Sequence, residues 1–338
     1  MPRNDDAPRH GGGLAAAAAR YGIAIEEWLD LSTGINPLPY PVEPLEPSTA
    51  TRLPDPAALA GLIQTARTAY AVGAAAYIVP VPGSDLGLRL LPLLVPTARV
   101  AILAPSYSGH AEAWSMAGHQ VVAAEHLEAA AGADVVVLAN PNNPDGRRHD
   151  PAALRAAATA LPPHGLLIVD EAFGDLEPRL SLAGTLDDPR LVVLRSFGKF
   201  YGLAGLRLGF VLGAGTVVRR LEGIVGDWPL SGATIAIGTA ALADLGWQAA
   251  ARQRLAERRA TLDALLARHG LSVAGGTDLF RLVRVDDSAT LHQELARLGI
   301  WTRIFAELPG AIRFGLPPDG DFERLDEALF SLRRRGRS

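Results

Sequence analysis

Four short runs of the chain are apolar between polar ends: residues 99–103, 134–139, 166–170 and 191–195. A strand buried on both faces shows no polar alternation, so these runs predict central strands of a sheet covered on both sides. Ala- and Leu-rich segments of helical character lie between them, over residues 109–117 and 151–161. Strand alternating with helix predicts an α/β domain with a mostly parallel sheet sandwiched by helices. Each predicted strand runs into polar or turn residues: Ala104-Pro105-Ser106-Tyr107, Asn140-Pro141-Asn142-Asn143, Asp170-Glu171 and Ser196-Phe197-Gly198-Lys199. Ligands of open α/β sheets bind at the carboxyl ends of strands, so the four clusters are expected at one crevice.

After about residue 215 the pattern changes. Residues 247–269 read as a long amphipathic helix, with Leu255, Leu262 and Leu266 on one face, arginines opposite and Gly270 at its end. Residues 279–285 and 311–316 read as strands around a helical 289–298. The expected organisation is an N-terminal segment (1–45) packing beside a small domain, a large α/β domain (46–215), and a smaller α+β C-terminal domain (216–338). The N-terminal segment holds a helix over Leu14–Tyr21 and a Pro-rich linker over 37–47.

Composition adds bounds. The 338 residues are 49% hydrophobic and 20% charged, with net charge −4, an ordinary soluble balance. No concentrated basic stretch precedes the tail arginines Arg333, Arg334, Arg335 and Arg337, so nucleic acid is not an expected partner. The absence of cysteine excludes disulfides, thiolate metal sites and cysteine nucleophiles. No apolar run approaches the roughly 20 residues that span a bilayer, and the start of the chain carries no apolar signal region. The expectation is no membrane and a cytoplasmic location.

One count changes the picture. Of the 32 basic residues a single one is lysine, Lys199. Guanidinium stays protonated, whereas an amine can lose its proton and attack a carbonyl. The surroundings of Lys199 match the needs of pyridoxal 5′-phosphate (PLP): an amine for the aldehyde, an anion beside the pyridine nitrogen, donors for the phosphate, and a surface against the ring. Ser196 stands three residues before Lys199, and Arg207 eight after, where it could grip a phosphate. Ser-x-x-Lys also marks serine acyl-enzymes, but their Lys-Thr-Gly companion needs a second lysine. Asp170, ending an apolar strand, reads as a helix cap or as the pyridinium partner. Gly83-Ser84-Asp85 opens the helical run 86–94 and could cradle a phosphate. Asn143 lies in a rigid turn within reach of a ring hydroxyl. Tyr107 could stack on the ring or simply pack. Arg313 could grip a substrate carboxylate, or be a surface strand arginine.

In this order and spacing the motifs resemble fold-type I PLP-dependent enzymes of the aspartate aminotransferase superfamily, nearest its histidinol-phosphate aminotransferase branch. That resemblance implies Lys199 as the Schiff-base lysine, Asp170 as pyridinium partner, and Asn143 on the ring hydroxyl. It gives Ser84, Ser196 and Arg207 to the cofactor phosphate and Arg313 to the substrate α-carboxylate, in a homodimer with active sites near the subunit interface. His10-Gly11-Gly12 and Trp28-Leu29-Asp30-Leu31-Ser32-Thr33-Gly34-Ile35-Asn36-Pro37 are similar to the N-terminal signature of the threonine-phosphate decarboxylase branch. This implies a phosphorylated amino acid as substrate and decarboxylation of L-threonine O-3-phosphate for cobalamin biosynthesis. Histidinol-phosphate transamination is the alternative. For the substrate phosphate the candidates are Arg303 and His10 with the Ser32 and Thr33 hydroxyls, with Arg147 as a weaker one; Asn36 and Asn143 are further candidates for binding the substrate. Phe173 stands where aminotransferases usually carry a tyrosine that bonds the ring oxygen, and Leu53 where a tyrosine commonly reaches the partner subunit's cofactor phosphate.

Overall fold

The computed structural model describes residues 11–335, in two compact units: Pro39–Ala250, and Met1–Leu38 together with Ala251–Ser338. His10 lies outside the described residues. Among the described residues no helix is long and apolar enough to cross a membrane.

The larger unit is built on seven strands: β1 (Tyr77–Val81), β2 (Arg99–Leu103), β3 (Gln120–Ala124), β4 (Val135–Ala139), β5 (Leu166–Glu171), β6 (Leu191–Ser196) and β7 (Gly209–Gly213). Their order across the sheet is β1-β7-β6-β5-β4-β2-β3. Only β7 runs antiparallel to its neighbours. Every residue of β4, β5, β6 and β7 is buried, which is why the middle of the sheet reads as unbroken apolar sequence. The edges do not. β1 contains Pro80, tolerable where one side of a strand has no partner, and β3 is half-exposed. One core layer joins Val79, Ile102, Val137, Ile168, Leu194 and Val211 of the sheet to Leu88, Trp114, Val218 and Leu221 from flanking helices. Full burial of such side chains contributes roughly 1.5–3 kcal/mol each. Val218 and Leu221 belong to the helix Thr216–Val225, so the chain stays in the larger unit beyond the change of sequence pattern near 215. The division at 250 falls inside the helix Leu245–Arg268.

Successive residues of a strand point to opposite faces. Glu171 and Arg195 are register partners on β5 and β6, so they share one face, and Asp170 and Ser196 project from the other. On the first face Arg195 donates to Glu171 at 2.9 Å and also to Asp175, with its guanidinium 4.3 Å from the centre of the Tyr70 ring. Ser181 Oγ and the Leu182 amide complete the coordination of Glu171. All three charged side chains are buried. Burial opposes the charge on Arg195, but Asp175, Tyr70 and Glu171 outweigh it and hold its pKa above the usual arginine value.

The smaller unit carries an antiparallel sheet of β8 (Ser272–Thr277), β9 (Phe280–Arg284), β10 (Arg303–Ile304) and β11 (Ala311–Gly315), in the order β10-β11-β9-β8. Leu29–Asp30 pairs in parallel with Ile300–Trp301. The helix Leu14–Tyr21 is held there by Ala17 against Trp28, Ala296 and Trp301. Leu245–Arg268 ends as Gly270 predicts: the Gly270 and Leu271 amides turn back to Ala267 and Leu266, with Gly270 at φ +71°.

Replacing Arg195 by alanine leaves two buried carboxylates without their cation, and should cost about 3–5 kcal/mol. Urea unfolding of Arg195→Ala beside the wild type measures this; an unchanged midpoint would contradict it.

Candidate active site

The Lys199 turn follows directly on β6. Phe197 and Phe200 are fully buried on either side of the half-buried Lys199. Phe197 stacks on Tyr201 (4.2 Å, 11°), and Tyr201 stacks on Trp247 (5.7 Å, 12°). The Phe197 amide donates to Leu208 O, and the Tyr40 amide to Tyr201 O. A side chain at Gly198 would lie 2.8 Å from Ala204 Cα, so only glycine permits this turn. The turn is thus anchored by aromatic packing, and Lys199 follows three residues beyond the carboxyl end of β6.

Asp170, from the end of the neighbouring strand, is buried and held at both oxygens. Oδ1 accepts from the Ala172 amide at 2.9 Å, and Oδ2 lies 3.0 Å from His110 Nε2. An ionised carboxylate only accepts, so Nε2 carries the proton. His110 Nδ1 lies 3.1 Å from Ser106 Oγ, so both ring nitrogens are engaged. His110 is fully buried. The sequence reading did not find it: it stands in the helix Ser108–Met116, where a histidine carries no mark of its own. Its one signal is the position three residues after Tyr107.

Ser84, Ser196 and Arg207 come together through glycines. Gly209 is the register partner of Ser196, and a Cβ on it would stand 2.3 Å from the Ser84 amide nitrogen. A Cβ on Gly83 would stand 2.3 Å from Arg207 Nη2. Arg207 itself has φ +54°, uncommon for a residue with a side chain. The Ser84 amide and the Arg207 guanidinium thus pack against Gly209 and Gly83 beside the strand end that carries Ser196, residue types suited to holding a phosphate. With Lys199 and Asp170 at neighbouring strand ends, the residues present fit PLP.

The side chains of Asp85 and Arg147 have partners within the chain. The Asp85 carboxylate does not offer a phosphate donor: it accepts from Tyr107 Oη at 3.3 Å and Arg89 Nε at 2.9 Å. Arg147 donates to Glu125 O at 2.8 Å and Ala104 O at 3.4 Å. Asn140 and Asn142 are also structural. Asn140 joins His149 and Leu180, and Asn142 joins Pro105 and Asp145. Asn143 beside them is half-buried. Phe173 is buried two residues past Glu171.

In the smaller unit, Arg303 and Arg313 are direct partners across β10 and β11. Like charges in that register oppose each other, and an anion between them would relieve this. Arg313 is buried, donates to Ser32 O, and lies near the rings of Phe280 and Phe305. Burial first, and Arg303 second, pull its pKa down to about 9, with Asp30 opposing. The Ser32 hydroxyl donates to Asp30 Oδ1 and accepts from the Gly12 amide. Asn36 Oδ1 accepts from the Leu38 amide, and Thr33 O packs against Gly315.

The chain matches the family described as aminotransferase class I and II over residues 50–332. It belongs to that family. The threonine-phosphate decarboxylase of Pseudomonas aeruginosa is 42% identical over 329 residues, covering 96% of this chain and 98% of that protein. The threonine-phosphate decarboxylase of a Sinorhizobium species is 44% identical over 328 residues, covering 95% and 97%. The solved structure of histidinol-phosphate aminotransferase from Sinorhizobium meliloti in complex with PLP matches with a TM-score of 0.78 at 26% identity, covering 98% of each chain. The fold is that of fold-type I PLP enzymes, as the sequence motifs led one to expect, and the chain is a PLP enzyme.

The buried charge of Arg313 costs the cofactor-free protein stability wherever the guanidinium is protonated. Arg313→Met should therefore raise the Tm at neutral pH. Thermal melts of both proteins at neutral pH check this; a lower Tm for the variant would contradict it.

Proposed function

We propose that the protein removes the carboxyl group of L-threonine O-3-phosphate as CO2, giving (R)-1-amino-2-propanol O-2-phosphate for cobalamin biosynthesis. The observation that carries this reading is the likeness, over nearly the whole of both chains, to two threonine-phosphate decarboxylases at 42% and 44% identity. Bound PLP supplies an aldehyde for a primary amine and a protonated pyridine ring that draws electrons from the bonds at Cα. Everything else falls to the chain's own residues. Lys199 would hold the cofactor aldehyde through its amine and, once free, would be the acid that returns a proton to Cα. Asp170 keeps the pyridine nitrogen protonated, and His110 with the Ala172 amide fixes the orientation of its carboxylate. Ser84, Ser196 and Arg207 hold the cofactor phosphate, and Asn143 the ring hydroxyl. Phe173, lacking a hydroxyl, leaves the ring oxygen one donor short of the aminotransferase pattern, which supports a different outcome at Cα.

Arg313 and Arg303 supply the positive charge for the substrate's carboxylate and phosphate, with Thr33, Asn36 and His10 as further contacts. Their cross-strand pairing supports this, because a doubly anionic substrate offsets the repulsion between them. The reading includes a homodimer in the cytoplasm.

Incubation of the PLP-loaded protein with L-threonine phosphate should release CO2 and aminopropanol phosphate and leave the cofactor spectrum as it began. A histidinol-phosphate aminotransferase would instead convert PLP to pyridoxamine phosphate on meeting histidinol phosphate. That conversion, with no CO2 from threonine phosphate, would overturn the proposal.

A further inference from the structure

Tyr107 is held on three sides. Its hydroxyl donates to Asp85 Oδ1 at 3.3 Å, and Asp85 is held in turn by Arg89 Nε on its other oxygen at 2.9 Å. The ring of His110, the residue that orients Asp170, meets it edge-on at 5.6 Å and 90°. On the third side is Gly109, where an added Cβ would lie 2.3 Å from Tyr107 Cε1 and 2.8 Å from Cζ. Asp85 directly follows Ser84 on the short helix Ser84–Leu90, so one turn of chain carries a phosphate hydroxyl and the acceptor that fixes an aromatic ring.

We propose that Asp85 is a positioning residue for Tyr107. Through the phenol it sets the plane of the ring against which the cofactor ring rests, and position 109 is glycine because the Tyr107 ring occupies the space of its side chain. This inference rests on the PLP reading above. It gives Asp85 a task different from the phosphate contact its motif suggests, and it requires tyrosine rather than phenylalanine at 107.

The test is titration of PLP into the cofactor-free protein, following the visible absorbance of the bound form. Asp85→Ala and Tyr107→Phe should each weaken PLP binding about tenfold, as expected for losing a hydrogen bond to a charged group. The double variant should bind no worse than either single one, because both remove the same contact. Gly109→Ala should weaken binding in the wild type and have no effect beside Tyr107→Ala. A second readout needs no cofactor. Burial, then Asp85, with a smaller push from Asp170 and against the pull of Arg89, raise the Tyr107 phenol to about 12. Ultraviolet titration of Asp85→Asn should move one phenol toward the ordinary tyrosine value. Additive losses in the double variant, or an unmoved phenol, with normal PLP binding by the wild type, would overturn the clamp alone. A wild type that binds no PLP would overturn the cofactor reading, and the clamp with it.

Discussion

The ion cluster of Arg195 with Glu171 and Asp175 binds two neighbouring parallel strands together at their carboxyl ends, and the rest of the site depends on that closure. Because side chains alternate along a strand, the residues flanking the cluster, Asp170 and Ser196, emerge on the opposite face. One face of β5 and β6 is given to a buried charge network whose cost is met by its own pairing. The other presents a carboxylate, a hydroxyl and, three residues on, the only lysine of the chain. A shift in register by one residue would exchange the two faces and bury the chemistry.

Above the sheet, orientation rests on neighbours rather than on the reactive groups themselves. Phe197, Tyr201 and Trp247 fix the turn that carries Lys199. Ser106 and His110 fix Asp170, and glycines at 83 and 209 admit Arg207 and the Ser84 backbone to the same spot. The cationic pair Arg303–Arg313 follows a different logic, in which buried positive charge is kept at the expense of stability. Such an arrangement is worth keeping where an anionic ligand has to be bound.

Much of this was legible in the sequence where a physical signal is local. The four central strands announce themselves by unbroken apolar runs, and the lone lysine stands out against 31 arginines. Strands β1 and β7 did not, because Pro80 and the bounding Gly209 and Gly213 are turn residues by composition; only their place at or beside the sheet edge makes them strand. His110 pairs with a residue sixty positions away, and nothing near it in the chain records that contact. Adjacency in the Gly83-Ser84-Asp85 motif could not show that its carboxylate turns to a tyrosine. The amphipathic helix Thr216–Val225 reveals an apolar face but not which sheet it covers, so the change in pattern near 215 and the division at 250 do not coincide.

The claim at the centre is that one amine, uncharged often enough to condense with an aldehyde, carries the cofactor. Borohydride reduction of the PLP-loaded protein, followed by peptide mapping, reads it directly. The pyridoxyl label should be found on Lys199 and be lost in Lys199→Ala. A label that persists in the variant, or one found at the chain's N-terminal amine, would contradict the account.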